Sequence, residues 1–334
     1  MKIAGQDYAR GELLARCSNL SAMYGARRIS LEDGKASGMK AVEVRTAAGM
    51  RCLFSEERCL DLMELDFKGT GLGFLCKNGI VSNAYAEPAA NDFWRYWTGG
   101  MLATCGLRNT GEGCTVDGEK FPQHGHIGLM PASNVGICVD EENITVTGTM
   151  RESAMFGHCL EMKRTISIPV SGAQVRIEDE VRNLTANPEP LFLLYHFNFG
   201  FPFLSEALEL CFPEGETRAR DENAARHMEE HTRIAAPVNN EAEQCYFHLA
   251  RDTNAEVRLT NRSLGMTARL RYDTGNLPIL TQWKSMRAGD YALGIEPGTS
   301  LIRGRAEELK NGYDVCLGGY ESMTFAVELA LESV

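Results

Sequence analysis

Nowhere in the 334 residues do about 18 apolar side chains run together, so no membrane-spanning helix is expected. The N-terminal stretch MKIAGQDYARGELLARCSNL lacks the apolar core of a secretory signal, and the chain reads as cytoplasmic. Runs of like charge are missing too. With 34 Lys and Arg against 45 Asp and Glu, a net charge of −11, the electrostatic footprint of a nucleic-acid binder is absent. The eleven cysteines form no C-x-x-C pair and are odd in number, which argues against a disulfide framework and predicts reduced, mostly buried thiols. No internal repeat, low-complexity linker or proline-rich break divides the chain, and no strand–helix–strand rhythm recurs.

What the chain does have is alternation. A hydrophobic content of 44% suffices for a sizeable core. Within 141–150, Ile144, Val146, Gly148 and Met150 share one face and threonines the other, and the same period of two recurs in 164–170, 256–260, 267–273 and 323–331. Residues 41–46 and 50–57 read as strands around the turn Ala47-Ala48-Gly49. Helix signals are confined to 5–17 and 222–234. The implied fold class is all-β, a large antiparallel β-sandwich or barrel with a few short helices. One domain over 1–334 is expected, with residues 1–30 as a short N-terminal extension.

Chemistry concentrates in three stretches. Residues 98–133 hold Arg108, His124 and His126 among glycines that let a backbone turn tightly and approach a ligand, although a plain glycine-rich turn gives the same pattern. Residues 190–203, PLFLLYHFNFGFPF, read as a strand buried on both faces with His196 at its middle. A buried imidazole needs a partner, so His196 is either bonded within the core or faces a cleft. In 282–298 Glu296 closes the apolar run YALGI before Pro297-Gly298, at a strand end that faces either a pocket or solvent. An arginine, imidazoles titrating near about 6.5 and a carboxylate near about 4.3 can together do acid–base work.

These motifs carry a resemblance. DGEKFPQHGHIG resembles the aldose 1-epimerase (galactose mutarotase) segment that delivers a first active-site histidine, which falls on His124. LLYHFNFGFP is similar to the motif of the catalytic histidine, His196, and YALGIEPG to the segment ending in the catalytic glutamate, Glu296. Arg108, in GLRNTGE, matches the family's substrate-binding arginine in position and order. The four occur in the family's order over roughly residues 30–331, and GKASG, TGGMLATCGL and QHGH are similar to an uncharacterised branch of the galactose-mutarotase-like superfamily. The resemblance implies a large β-sandwich that opens and recloses a sugar ring, with Glu296 as base, His196 as acid and His124 bonding the oxygen on which charge develops.

The sequence departs from that pattern at two places. His126 stands where the family often has the second glycine of His-Gly-Gly, and it reads as a substrate contact. The family's hydroxyl-binding aspartate has no clear counterpart, with Gln244 or Glu243 the nearest candidates. Trp283, Trp94 or Trp97 could stack on a sugar face or simply pack in the core. Lys284, with Arg58, Arg95 and Arg287, raises a variant in which the substrate is anionic. No cofactor or metal is expected, and the partner is a small-molecule carbohydrate, with no nucleic acid and no membrane; a homo-oligomeric state stays open. Two rival readings remain. One is a cupin-like metal-dependent sugar isomerase built on His124-x-His126, although IGLMPAS lacks the expected following carboxylate. The other is a non-catalytic carbohydrate-binding protein on the same scaffold.

Overall fold

Alternating apolar positions become two large antiparallel sheets packed face to face. The computed structural model describes residues 1–3, 6–87, 92–312 and 315–334. One sheet carries the cleft described below. In chain order its strands are β1 (Leu102–Leu107), β2 (Glu189–Phe199), β3 (Gly215–Ala219), β4 (Gln244–Ala250), β5 (Ile279–Arg287), β6 (Asp290–Gly298) and β7 (Val315–Leu317). Their spatial order is β1-β2-β6-β5-β4-β3, with β7 pairing the start of β2. The second sheet runs Ser133–Val139, Asn143–Ser153, Cys159–Pro169, Gln174–Asn183, Ser322–Ser333, Met266–Asp273, Asn254–Asn261 and Leu208–Cys211. A smaller five-stranded sheet begins at Gly25–Ser30, and its strands Lys40–Arg45 and Met50–Ser55 flank the turn read from the sequence.

Between the sheets lies an apolar core. Ile144, Val146 and Met150 from the second sheet join Tyr195, Phe197, Leu293 and Ile295 from the first, all 1% exposed or less. The fold is therefore the all-β sandwich expected, with few and short helices. The N-terminal helix is shorter than read, Arg10–Arg16, and residue 5 of the expected span lies outside the described residues. The stretch 222–234 breaks after Glu222–Arg226 into a 3-10 turn over Met228–Glu230. No helix among the described residues is long and apolar enough to cross a membrane.

A buried polar network bolts the two sheets together. Arg164, fully buried on the second sheet, donates to both oxygens of Asp179 at 2.9 and 2.7 Å, to Asp61 Oδ1 at 2.9 Å and to Thr104 Oγ1 of β1 at 2.9 Å. The Tyr195 hydroxyl of β2 donates to Asp179 Oδ2 at 2.7 Å. Charges this deep persist only when paired and hydrogen-bonded.

The cysteines correct one expectation. All eleven are free, but only Cys52, Cys59, Cys105 and Cys245 are buried. Cys138, Cys211 and Cys316 are exposed because they sit on short or outermost strands, where one face meets solvent.

Candidate active site

The outer face of the first sheet is where β2 spends the side chains that the core does not take. Tyr195, Phe197 and Phe199 point into the core, so strand alternation turns His196 to the opposite face. The register pairing Leu194 with Gly298 and Phe197 with Ile295 sets His196 beside Glu296 of β6. Their side chains approach to 3.2 Å, His196 Nε2 to Glu296 Oε1, without the alignment of a hydrogen bond. Next on that face come Thr281 and Trp283 of β5, opposite Glu296 and Gly294, and then Cys245 of β4 opposite Trp283. Glu296 thus lies within a strand rather than at its end, and it is fully buried.

This row floors a cleft of about 810 Å³ lined by His124, His196 and Glu296. Trp97 and Trp283 wall it, with ring centroids 5.7 Å from His196 in each case. His124 arrives from a turn, not a strand, in the left-handed region at φ +60°. The turn fits because Gly125 follows: a Cβ there would sit 2.2 Å from the Gly106 carbonyl oxygen, so any side chain would push the turn off β1. The Gly111 amide donates to His124 Nδ1 at 3.3 Å, which leaves Nε2 to carry the ring proton as a donor. The His124 and His196 rings stand 5.6 Å apart.

Electrostatics push the floor toward neutrality. Burial raises the Glu296 carboxyl well above the usual carboxylate range; nearby Glu243 adds to the rise and Arg220 opposes it. Burial lowers His196 well below 6.5, helped by His124, and lowers His124 to about 4. Neither oxygen of Glu296 has a hydrogen-bond partner among the described residues, nor has His196 Nδ1. Unsatisfied polar atoms at the floor of a cleft are poised for a ligand or for catalysis.

Glycine shapes the floor as well. A Cβ at Gly294 would come within 2.2 Å of Glu296 Oε1, so only glycine lets the carboxylate fold back over β6. On the rim, Glu243 accepts from Trp283 Nε1 at 2.8 Å and from Arg220 Nη2 at 2.9 Å, which fixes the indole plane. Arg220 also holds Asp221 at 2.9 Å.

Of the residues singled out in the sequence, the cleft gathers His124, His196, Glu296, Trp94, Trp97 and Trp283, with Glu243. Four lie elsewhere. Arg108 is not among its lining residues: it is 7% exposed, paired with Glu119 and with Glu189 at 2.9 Å, and its guanidinium lies over the Phe121 ring. His126 faces Glu152, Nδ1 to Oε1 at 3.6 Å, so the two histidines of H-x-H diverge. Gln244 and Lys284 fall on the wrong parity. Gln244 points with Tyr246, whose hydroxyl donates to it at 3.1 Å, and Lys284 donates to the carbonyls of Glu230 and Arg233 at 3.0 and 2.9 Å. Burial lowers Lys284 to about 8, but it serves to hold the 228–234 segment. Arg58 is likewise structural, donating to the carbonyls of Val81 and Tyr96. Sequence reasoning missed Arg220 and Arg303, both cleft-lining, because each sits in a stretch without a motif.

The β-sandwich that carries this cleft has counterparts among solved structures. The fold is similar to a structure from Klebsiella pneumoniae provisionally described as an aldose 1-epimerase, at TM-score 0.87 and 23% identity over 92% of this chain and 83% of that one. It is also similar to a galactose mutarotase-like protein from Clostridium acetobutylicum, at TM-score 0.68 and 15% identity over 94% of this chain and 100% of that one. A third is galactose 1-epimerase from Lactobacillus acidophilus, at TM-score 0.62 and 12% identity over 93% of this chain and 99% of that one. Residues 36–331 match the family described as a domain of unknown function, DUF4432, and the chain belongs to that family. A search of the curated proteins gave no match.

Proposed function

We propose that the protein is an isomerase of the aldose 1-epimerase type, interconverting the anomers of a free sugar or sugar acid. The observation that carries this reading is the 3.2 Å approach of His196 and Glu296 at the floor of the tryptophan-walled cleft. Burial opposes charge on both, which favours the neutral pair with the proton on Glu296. Passing that proton to His196 makes the carboxylate a base and the imidazolium an acid in one step. Glu296 then takes the proton of the anomeric hydroxyl while His196 gives its own to the ring oxygen, and the bond from C1 to the ring oxygen breaks. The open aldehyde rotates about C1–C2, and the same transfers in reverse close the ring on its other face. The pair ends with the proton it began with.

His124 supports this chemistry as a neutral donor. With Nδ1 occupied by the Gly111 amide, its Nε2–H can bond the oxygen on which charge develops. Arg303 lines the cleft with its guanidinium over the Phe247 ring, which suits a carboxylate on a sugar acid. Arg108 has no part in this reading, since its donors are committed to Glu119 and Glu189.

The test is polarimetry of freshly dissolved single anomers across hexoses, pentoses and uronates. At least one should equilibrate faster with protein than in buffer. If none does, the protein binds carbohydrate without turning it over, or does other work.

A further inference from the structure

The turn that brings His124 to the cleft is held by other loops as well as by β1. Residues 108–112, which follow β1, meet it through the backbone: the His124 amide donates to the Gly111 carbonyl at 2.8 Å. A third loop, 299–304 after β6, closes on the first, with Gly111 bridged to Arg303 and the Gly304 amide donating to the Thr110 carbonyl at 3.1 Å. That loop carries Ile302 and Arg303 of the cleft lining. One side chain, Asn109, ties all three together from within, and it has no exposed surface. Its Nδ2 donates to the Pro122 carbonyl at 2.8 Å and to the Glu112 carbonyl at 3.0 Å. Its Oδ1 accepts from the Arg305 amide at 2.6 Å and from Cys114 Sγ at 3.7 Å. Both donors and both acceptor positions of the amide are thus used.

We infer that Asn109 is the positioning residue of His124: by pinning the Gly111 segment to Pro122 it keeps the Gly111 N–H on His124 Nδ1 and leaves Nε2–H as the donor. Its catalytic consequence rests on the proposed role of His124 in ring opening; the ring state itself does not. The Gly111 bond is the one hydrogen bond the His124 ring makes among the described residues, and at 3.3 Å it joins two loops with little to spare. A neutral imidazole keeps one tautomer only while a partner holds one of its nitrogens. Parting the loops by about 1 Å removes that partner and misplaces the ring, a displacement that can cost on the order of 10²-fold in rate. No other side chain reproduces the tie. Asn109→Asp keeps an acceptor for the Arg305 amide but has no donor for Pro122 or Glu112, and Asn109→Ser is too short to span the three loops.

The experiment reads the ring directly and needs no ligand. Two-bond proton–nitrogen NMR of histidine-labelled protein distinguishes the tautomers, and the His124 signals are those missing from His124→Gln. Wild type should show a single Nε2–H tautomer that stays neutral down toward pH 4. In Asn109→Ser the Nδ1–H form should appear alongside it, and protonation should move up from about 4 toward 6.5. Asn261→Ser is the matched control. Asn261 is equally buried and ties a distant loop, donating to the Phe203 carbonyl at 2.9 Å and to Ser205 Oγ at 3.0 Å. It should lower the thermal midpoint without changing the His124 signals. On any sugar that wild type accelerates, Asn109→Ser should lower the turnover number at least tenfold and change the Michaelis constant less than threefold. An unchanged ring in folded Asn109→Ser, the same ring change in Asn261→Ser, or failure of both Asn109→Ser and Asn109→Asp to fold would overturn the assignment. If the ring responds as expected but no sugar equilibrates faster with wild type, the tie to His124 stands and the catalytic reading falls.

Discussion

Gly294 shows how much of the site rests on what a residue lacks. With Oε1 of Glu296 only 2.2 Å from where a Cβ would be, Gly294→Ala must displace the carboxylate from His196. The turnover number should fall at least tenfold, with a smaller change in the Michaelis constant and a near-normal thermal melt; an unchanged turnover number would mean that the seat of the carboxylate is immaterial. The pair's ionisation gives a second residue-scale expectation. Activity needs one proton on the pair: lowering pH through the depressed His196 value adds a second and removes the base, and raising pH through the elevated Glu296 value removes the acid. The pH profile should therefore be flat across neutrality, with its acid limb below 6.5. A profile falling steadily from pH 8 to about pH 6 would contradict the buried neutral pair.

At the scale of strands, legibility followed burial. The run around His196 was readable because a strand apolar on both faces is rare unless one face covers a core and the other a cleft. Parity was harder. Gln244 and Lys284 belong to the right strands, β4 and β5, but alternation turns Cys245 and Trp283 toward the cleft and those two away. A one-residue ambiguity in strand phase is invisible when no neighbouring face is known. Arg108 carried the right motif order, yet the Glu119 and Glu189 carboxylates that capture it are brought near by a hairpin and by β2, contacts no local pattern announces. Arg164 was missed for the same reason, since its partners come from three other segments. Arg164→Met would leave Asp61 and Asp179 buried without their cation, and should cost about 3–5 kcal/mol in denaturant unfolding. A loss below about 1 kcal/mol would show that the network bolts nothing.

For the whole molecule, the all-β sandwich was legible because periodicity of two survives any detail of topology, whereas strand order was not, since pairing depends on contacts far apart in sequence. Buried histidines couple this fold to pH. His248 stacks on Phe212 with centroids 4.0 Å apart and shares Gln282 with His231; burial lowers it to about 4, as it does His124. In the unfolded chain both return to about 6.5, so between those values the unfolded state binds more protons and stability falls as pH falls. The loss should be on the order of 3 kcal/mol per histidine from neutrality to about pH 4, and thermal melts should show the midpoint dropping across that range. His248→Gln should flatten the drop. A midpoint independent of pH there would mean that neither ring is held neutral.

The central claim is that His196 and Glu296 act as one proton-transfer unit on the anomeric centre. Saturation-exchange NMR on an accelerated sugar, comparing wild type, Glu296→Gln, His196→Asn and the double variant, tests it most directly. Each single change should lower the exchange rate by on the order of 10² to 10⁴, and the double should be little worse than either, because both groups serve the same ring opening. Full activity in Glu296→Gln, or losses that multiply in the double variant, would contradict it.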